Sequence, residues 1–200
     1  SHADQPIYVR LATGDQPATV TIDMPANPSF TPIVVTMAAN SSHTQTMTSF
    51  KNMLETRPKM TVLNTGLRIS STAEITALYE VSPTNNPDII ILKGANGLGT
   101  EFYTPFQNIW KNGYANAYTS FDIVATEDNT TVLIYPTSAL DGGVPAFQSF
   151  TITLNKGQTY SASVTKPNQP HFNPTGSQIL SNKPIAVSIK DDSVQPGTYG

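Results

Sequence analysis

The residue types of this 200-residue chain limit the chemistry that it could perform. It contains no cysteine, which excludes disulfides, thiolate metal sites and a cysteine nucleophile. The three histidines, His2, His43 and His171, have no partner two or four residues away, so the spacing favours surface histidines over a zinc site. No G-x-S-x-G motif is present, and no spacing indicates a serine triad.

Carboxylates at the ends of predicted strands are the remaining candidates for metal binding. Asp191 and Asp192 follow the last predicted strand, and clustered oxygen ligands of this kind could bind calcium. Calcium is therefore the one cofactor considered, although solvated turn residues are the favoured interpretation. A glycosidase pair is an alternative if the fold brings together two of the remaining carboxylates considered, namely Glu55, Glu74, Glu80 and Glu101.

Aromatic side chains beside amides provide a second kind of candidate site. Trp110, Tyr114 and Tyr118 lie in or next to a turn-rich segment, and His171 and Phe172 lie in a loop rich in proline and asparagine. Such side chains could stack on a sugar or anchor a protein ligand. The alternative is that they close the edges of the sheets.

Composition argues against nucleic acid and anionic membranes as partners. Charged residues make up 12% of the chain, the net charge is -3 and the pI is about 5.5, without a basic cluster. No apolar run approaches the ~20 residues of a membrane-spanning helix, and no signal peptide is recognised.

Short Thr, Val and Ile runs separated by Gly, Pro and Asn predict an all-β fold. In 150–154, Phe, Ile and Leu alternate with threonine, which predicts a strand with one apolar face. The continuous apolar run 88–92 predicts a strand buried on both faces. We expect antiparallel sandwiches, since turn signals recur along the chain.

The two halves of the chain repeat similar patterns. Offsets of 110, 112, 113 and 117 relate segments beginning at Gly66, Thr19, Ala12 and Thr36 to later segments. We therefore predict two related sandwich modules from an internal duplication, residues 1–98 and 99–200, with a glycine-rich connection at 93–99. The alternative is one elongated sandwich with a shared core.

Four residues are predicted to occupy structural turns. Gly66 and Gly176 begin the same G-x-x-I-x-S pattern, which predicts a positive φ at both. Asn40 and Gly157 occupy corresponding turns after Thr36 and Thr153, and both residue types tolerate the left-handed region.

Four segments resemble the bacterial members of the IgGFc-binding protein N-terminal domain family, which are large surface and secreted proteins. They are 92–102, 121–132, 153–160 and 176–187. The resemblance covers most of the chain, but it rests on strand and turn residues and carries no immunoglobulin binding with it.

The resemblance and the composition together predict a non-enzymatic extracellular or bacterial cell-surface module for adhesion or spacing. The expected partners are an extracellular protein or glycan and neighbouring β-modules, without nucleic acid or membrane insertion. Because related chains continue into further modules, we expect this chain to be part of a longer protein. A carbohydrate-binding or carbohydrate-active domain is the alternative function.

Overall fold

The protein is all-β and divides into two units. The computed structural model describes residues 5–84, 87–107, 109–113, 117–165, 173–192 and 194–195. Unit 1 comprises Ser1–Glu55 and Thr65–Gly97, and unit 2 comprises Thr56–Asn64 and Leu98–Gly200. The division at 97/98 lies within the predicted connection, whereas Thr56–Asn64, expected in the first module, belongs to the second unit.

Sixteen strands, one four-residue α-helix, α1 (Lys51–Leu54), and three short 3-10 helices, Thr48–Phe50, Gly94–Gly97 and Asp141–Gly143, occur among the described residues. In chain order, the strands are β1 (Ile7–Thr13), β2 (Ala18–Asp23), β3 (Ile33–Met37), β4 (Ser42–Thr46), β5 (Val62–Leu63), β6 (Arg68–Ser71), β7 (Ile75–Val81), β8 (Asp88–Ile91), β9 (Gly99–Tyr103), β10 (Lys111–Asn112), β11 (Thr119–Ala125), β12 (Thr130–Tyr135), β13 (Phe150–Leu154), β14 (Thr159–Val164), β15 (Gln178–Asp191) and β16 (Val194–Gln195).

Unit 1 contains a four-stranded sheet, ordered β4-β1-β7-β8, and a three-stranded sheet, ordered β3-β2-β6. Every neighbouring pair in these sheets is antiparallel. Alternate residues of β1 and β2 are buried, as the period of two requires. Val9, Leu11, Val20 and Ile22 join Met47 in the core of this unit, each at most 1% exposed.

The predicted burial of 88–92 is wrong. Ile89, Ile90 and Ile91 are 55%, 48% and 65% exposed. They form β8, which pairs with β7 on one side and is the outermost strand of its sheet among the described residues. A hydrophobic run predicts a strand, but its burial depends on what covers that strand.

Unit 2 contains a seven-stranded antiparallel sheet, ordered β13-β12-β15-β11-β14-β5, with β9 also paired to β15. A separate pair joins β10 and β16. The long strand β15 pairs with β12 through its first residues and with β11 through its last ones. Phe121, Ile123, Val132, Ile134 and Ile179, all 0% exposed, occupy the core of this unit.

The two units share one scheme of strand pairing. β1 pairs with β4 and β7 as β11 pairs with β14 and the end of β15, and β2 pairs with β3 and β6 as β12 pairs with β13 and the start of β15. Registers agree as well: Val9 lies opposite Gln45 and Tyr79, and Phe121 lies opposite Ala162 and Ile189.

These registers correspond to offsets of 112 for the first two strands, 117 for the next two and 110 for the last two. They reproduce the offsets of 112, 117 and 110 found in the sequence. The offset of 113 is wrong, because Ala12 lies opposite Thr76 and its equivalent opposite Ala186 is Val124.

The turn predictions are correct at three of four positions. Gly176, Gly157 and Asn40 have φ values of 77°, 78° and 51°. Gly66 does not have a positive φ, so that prediction is wrong there. The backbone N–H of Asn40 donates to Gly14 O, just after β1, at 2.6 Å, and that of Gly157 donates to Ala125 O, in the last residue of β11, at 2.8 Å.

Candidate functional site at one end of the second unit

A glutamine holds the loop that carries Trp110. The Gln107 side-chain oxygen accepts hydrogen bonds from the backbone N–H groups of Ile109 and Trp110 at 2.9 and 2.8 Å. Its amide nitrogen donates to Trp110 O at 3.0 Å and to Asp191 Oδ2 at 2.9 Å. Both ends of the amide therefore fix the loop, while Ile109 and Trp110 remain 63% and 42% exposed.

The structure brings the described ends of the two predicted binding loops together. Asn173 donates its side-chain N–H to Gln107 O at 2.7 Å, and Phe106 donates its backbone N–H to Thr175 Oγ1 at 3.0 Å. Trp110 is thus carried by a loop that contacts the end of the second loop. The other predicted residues there, Tyr114, His171 and Phe172, lie outside the described residues.

Asp191 has a structural role in this site. Its Oδ1 accepts a hydrogen bond from Thr119 Oγ1 at 3.0 Å, and its Oδ2 accepts the one from Gln107. Asp192 donates its backbone N–H to Tyr118 O at 3.0 Å, which closes the end of the β11–β15 ladder. Within the described ranges, no group of three or more His, Cys, Asp or Glu side chains is placed to hold a metal ion.

Tyr118 is surrounded by cations instead of being exposed. Its residue is only 6% exposed. The Lys59 ammonium lies 2.9 Å from the centroid of its ring, the Lys190 ammonium 5.1 Å away and the Arg57 guanidinium carbon 5.8 Å away. The ring faces attract cations, but burial removes water from them. Burial therefore lowers the pKa of Lys59 to about 8; Arg57 and Lys190 add to this effect, and Asp141 and Asp192 oppose it.

Asp122 balances part of this charge. Its Oδ2 lies 3.7 Å from Lys190 Nζ and accepts a hydrogen bond of 3.3 Å from Thr56 Oγ1. Burial disfavours the charged form of Lys190, but Asp122 and Tyr118 outweigh it, so that the pKa of Lys190 is raised. Tyr118, predicted as a ligand contact, is thus the centre of a cation–π cluster within unit 2.

Three of the four candidate carboxylates for glycoside hydrolysis, Glu55, Glu80 and Glu101, have separate partners. Glu55 lies 3.7 Å from Lys51, and Glu80 forms an ion pair with Arg10. Glu101 accepts hydrogen bonds from Tyr103 and Gln178. These contacts pair each carboxylate with a donor and do not form a pair of carboxylates among the three.

Sequence reasoning missed the contacts that organise this end of unit 2. Gln107 and Asp191 are 84 positions apart, and Lys59 reaches Tyr118 from a segment expected in the other module. No local pattern indicates either contact. The one available signal was the placement of Gln107 at the start of the aromatic loop, which predicts an amide contact but not its partner.

The described residues define an antiparallel all-β domain with a polar, aromatic loop cluster at one end. No helix in the described ranges is long and apolar enough to cross a membrane. The family model for IgGFc binding protein matches residues 88–195, which is more than half of the chain. The chain therefore belongs to this family. Neither the curated proteins nor the solved structures give a significant match to it.

Proposed function

We propose that the chain is a non-enzymatic extracellular or cell-surface domain that adheres to a protein or glycan through the loop of Ile109 and Trp110. The observation that carries this proposal is the Gln107 clamp. Gln107 fixes the backbone at Trp110, while the indole side chain stays exposed. Because the backbone is already ordered, the loop loses little conformational entropy when Trp110 binds a ligand. Tryptophan is among the residues that most often supply binding energy at protein interfaces.

A role without catalysis agrees with how the candidate acids are used. Asp191 and Glu101 accept hydrogen bonds from neutral side chains, and Asp122 is bonded to Thr56 and Lys190. These contacts give the carboxylates structural roles. A carbohydrate-active enzyme would instead need a carboxyl group at a substrate site with its pKa adapted to proton transfer.

The equal strand pairing of the two units supports an origin by internal duplication. A fold that repeats within one chain suits a surface array, in which sandwiches supply stability and end loops supply binding. Neighbouring β-modules of a longer parent protein are the proposed structural partners. The net charge of -3 supports partners other than nucleic acid. The proposed location is extracellular or at the bacterial cell surface, without membrane insertion.

A combined protein and glycan array with a hydrolysis screen tests this proposal. The wild-type chain should bind a ligand without turnover, and Trp110→Ala should reduce the affinity by about tenfold, as expected for an aromatic anchor. Phe147→Ala is the matched control, because Phe147 is an exposed aromatic residue, 65%, that lies in the connection between β12 and β13.

Turnover of a glycan that is abolished by changing one Asp or Glu would replace the adhesion proposal with the enzymatic alternative. Failure to bind any protein or glycan would leave a spacer role in the parent chain. Equal loss of binding in Trp110→Ala and Phe147→Ala would show that the loop is not the contact.

A further inference from the structure

The outer face of unit 2 carries a row of aromatic and amide side chains. This row includes no residue of the Trp110 loop or of the cation–π cluster at Tyr118. Tyr135 of β12 lies opposite Gln178 of β15, and Gln178 lies opposite Tyr103 of β9. Residues directly opposite one another point to the same face of a sheet. Their buried neighbours Ile134 and Ile179 point to the core, so the row faces solvent.

This row is exposed to solvent. Tyr103 and Tyr135 are 61% and 44% exposed, and Leu133, next along the outer face of β12, is 39% exposed. Two strand spacings separate the two tyrosines, a distance of about 9 to 10 Å between their backbones. That spacing is close to the length of two pyranose units in an extended, equatorially linked chain.

Polar groups between and beside the rings are already held in place. Gln178 Nε2 donates to Tyr103 Oη and to Glu101 Oε1, each at 2.8 Å, and Tyr103 Oη donates to Glu101 Oε1 at 3.1 Å. The hydrogen bond to Glu101 raises the pKa of Tyr103, which keeps the phenol neutral. The amide carbonyl and the carboxylate can each accept hydrogen bonds from sugar hydroxyls.

Unit 1 shows that the fold does not require these side chains. The positions that correspond to Tyr135 and Gln178 in strand pairing are Asp23 and Arg68. They form an ion pair there, with Arg68 Nε 2.8 Å from Asp23 Oδ1. Unit 1 therefore has a salt bridge at the equivalent position of its own sheet, and the aromatic row is particular to unit 2.

We propose that this face, the Tyr103–Gln178–Tyr135 row, binds a neutral, linear β-linked glycan chain by stacking of sugar rings on both tyrosines. Sugars present flat C–H faces to aromatic rings and hydroxyls to amides and carboxylates. Glu101, Leu180, Leu133 and Thr151 are the paired residues at the next outward-facing positions. Among these described residues and the row itself there is one carboxylate and no cation, which favours a neutral chain over an acidic one. The inference rests on the proposed function in one respect, namely that the domain binds an extracellular ligand. The residues of the row are separate from those of the Trp110 loop.

Calorimetric titration of the whole chain with cellohexaose, xylohexaose and chitohexaose tests the inference. At least one should bind, and Tyr103→Ala and Tyr135→Ala should each weaken binding by about tenfold. Tyr135→Phe keeps the stacking ring and should retain most of the affinity. Val34→Ala, a change at an exposed residue on β3 of unit 1, should leave glycan binding unchanged.

A double variant separates a loss of binding from a loss of folding. Tyr135→Asp combined with Gln178→Arg reproduces the pair that unit 1 carries at this place, so it should fold and lose glycan binding. Failure of all three hexasaccharides to bind the wild-type chain would overturn the inference. Unchanged glycan binding in this double variant would also overturn the inference. The proposed function is tested separately, because a loss of protein binding in Trp110→Ala would still support the adhesive loop.

Discussion

The lysine beside Tyr118 makes the stability of unit 2 depend on pH in an unusual direction. Burial lowers the pKa of Lys59 to about 8 from its ordinary 10.5. Between these values the unfolded chain retains the lysine proton and the folded chain has lost it. The unfolded state therefore binds more protons, and the free energy of unfolding should rise as the pH increases from 8 to 10.

The size of the effect follows from the shift and from the exposure of Lys59. A shift of this size would contribute roughly 3 kcal/mol for a fully buried group. Lys59 is only about half buried, so solvent screening reduces the expected rise to about 1–2 kcal/mol. Above pH 10 the trend should reverse, because burial raises the pKa of Tyr160 and the raised pKa of Lys190 keeps its proton in the folded state.

Urea unfolding at several pH values between 7 and 10.5 measures this dependence. Lys59→Met removes the titrating group, and Lys59→Arg keeps a charge that does not titrate in this range. Both variants should lose the rise seen in the wild-type chain. A rise of equal size in all three proteins would refute the assignment to Lys59, and a wild-type fall between pH 8 and 10 would refute the direction.

Two further predictions concern packing and backbone conformation. Phe121→Ala should destabilise unit 2 by about 3–5 kcal/mol, and the equivalent Val9→Ala should destabilise unit 1 by about 2 kcal/mol, since both side chains are fully buried. Hydrogen exchange should show lost protection in the mutated unit. Equal loss of protection in both units would contradict two separate cores. Gly176→Val should destabilise by about 1–3 kcal/mol because φ is 77°, whereas Gly66→Val lacks this backbone cost, which comparison of their thermal unfolding can check.

Much of the fold was predictable because the signals for strands and turns are local. Alternating burial requires a period of two, and the sequence of 150–154 shows that period directly. Positive φ favours Gly and Asn, so Gly176, Gly157 and Asn40 could be placed from residue type and context. Repeated offsets were also readable, because equivalent strands conserve spacing when only loop lengths change.

Burial at the edges of the sheets could not be read from the sequence. The isoleucines of 89–91 have the local pattern of a central strand, but within the described part of the chain their strand is paired on one side only. Hydrophobicity determines that a segment favours a sheet, and the order of strands determines whether a neighbour covers it. That order depends on contacts between distant segments.

The candidate site was only partly predictable. The types of residue in the aromatic loops suggested binding, and the described ends of those loops do meet at Gln107 and Asn173. The sequence could not show that Tyr118 is buried beneath Lys59, because the two residues are brought together only when Thr56–Asn64 joins unit 2.

By itself, the sequence determined the all-β class, the strand periodicity, several turns and the family of this protein. Tertiary structure alone decided which side chains share a surface. Tyr103, Tyr135 and Gln178 form one row because strands from three parts of the chain pair in a particular register. A shift of one residue would turn each side chain to the other face, so register is the physical origin of that surface.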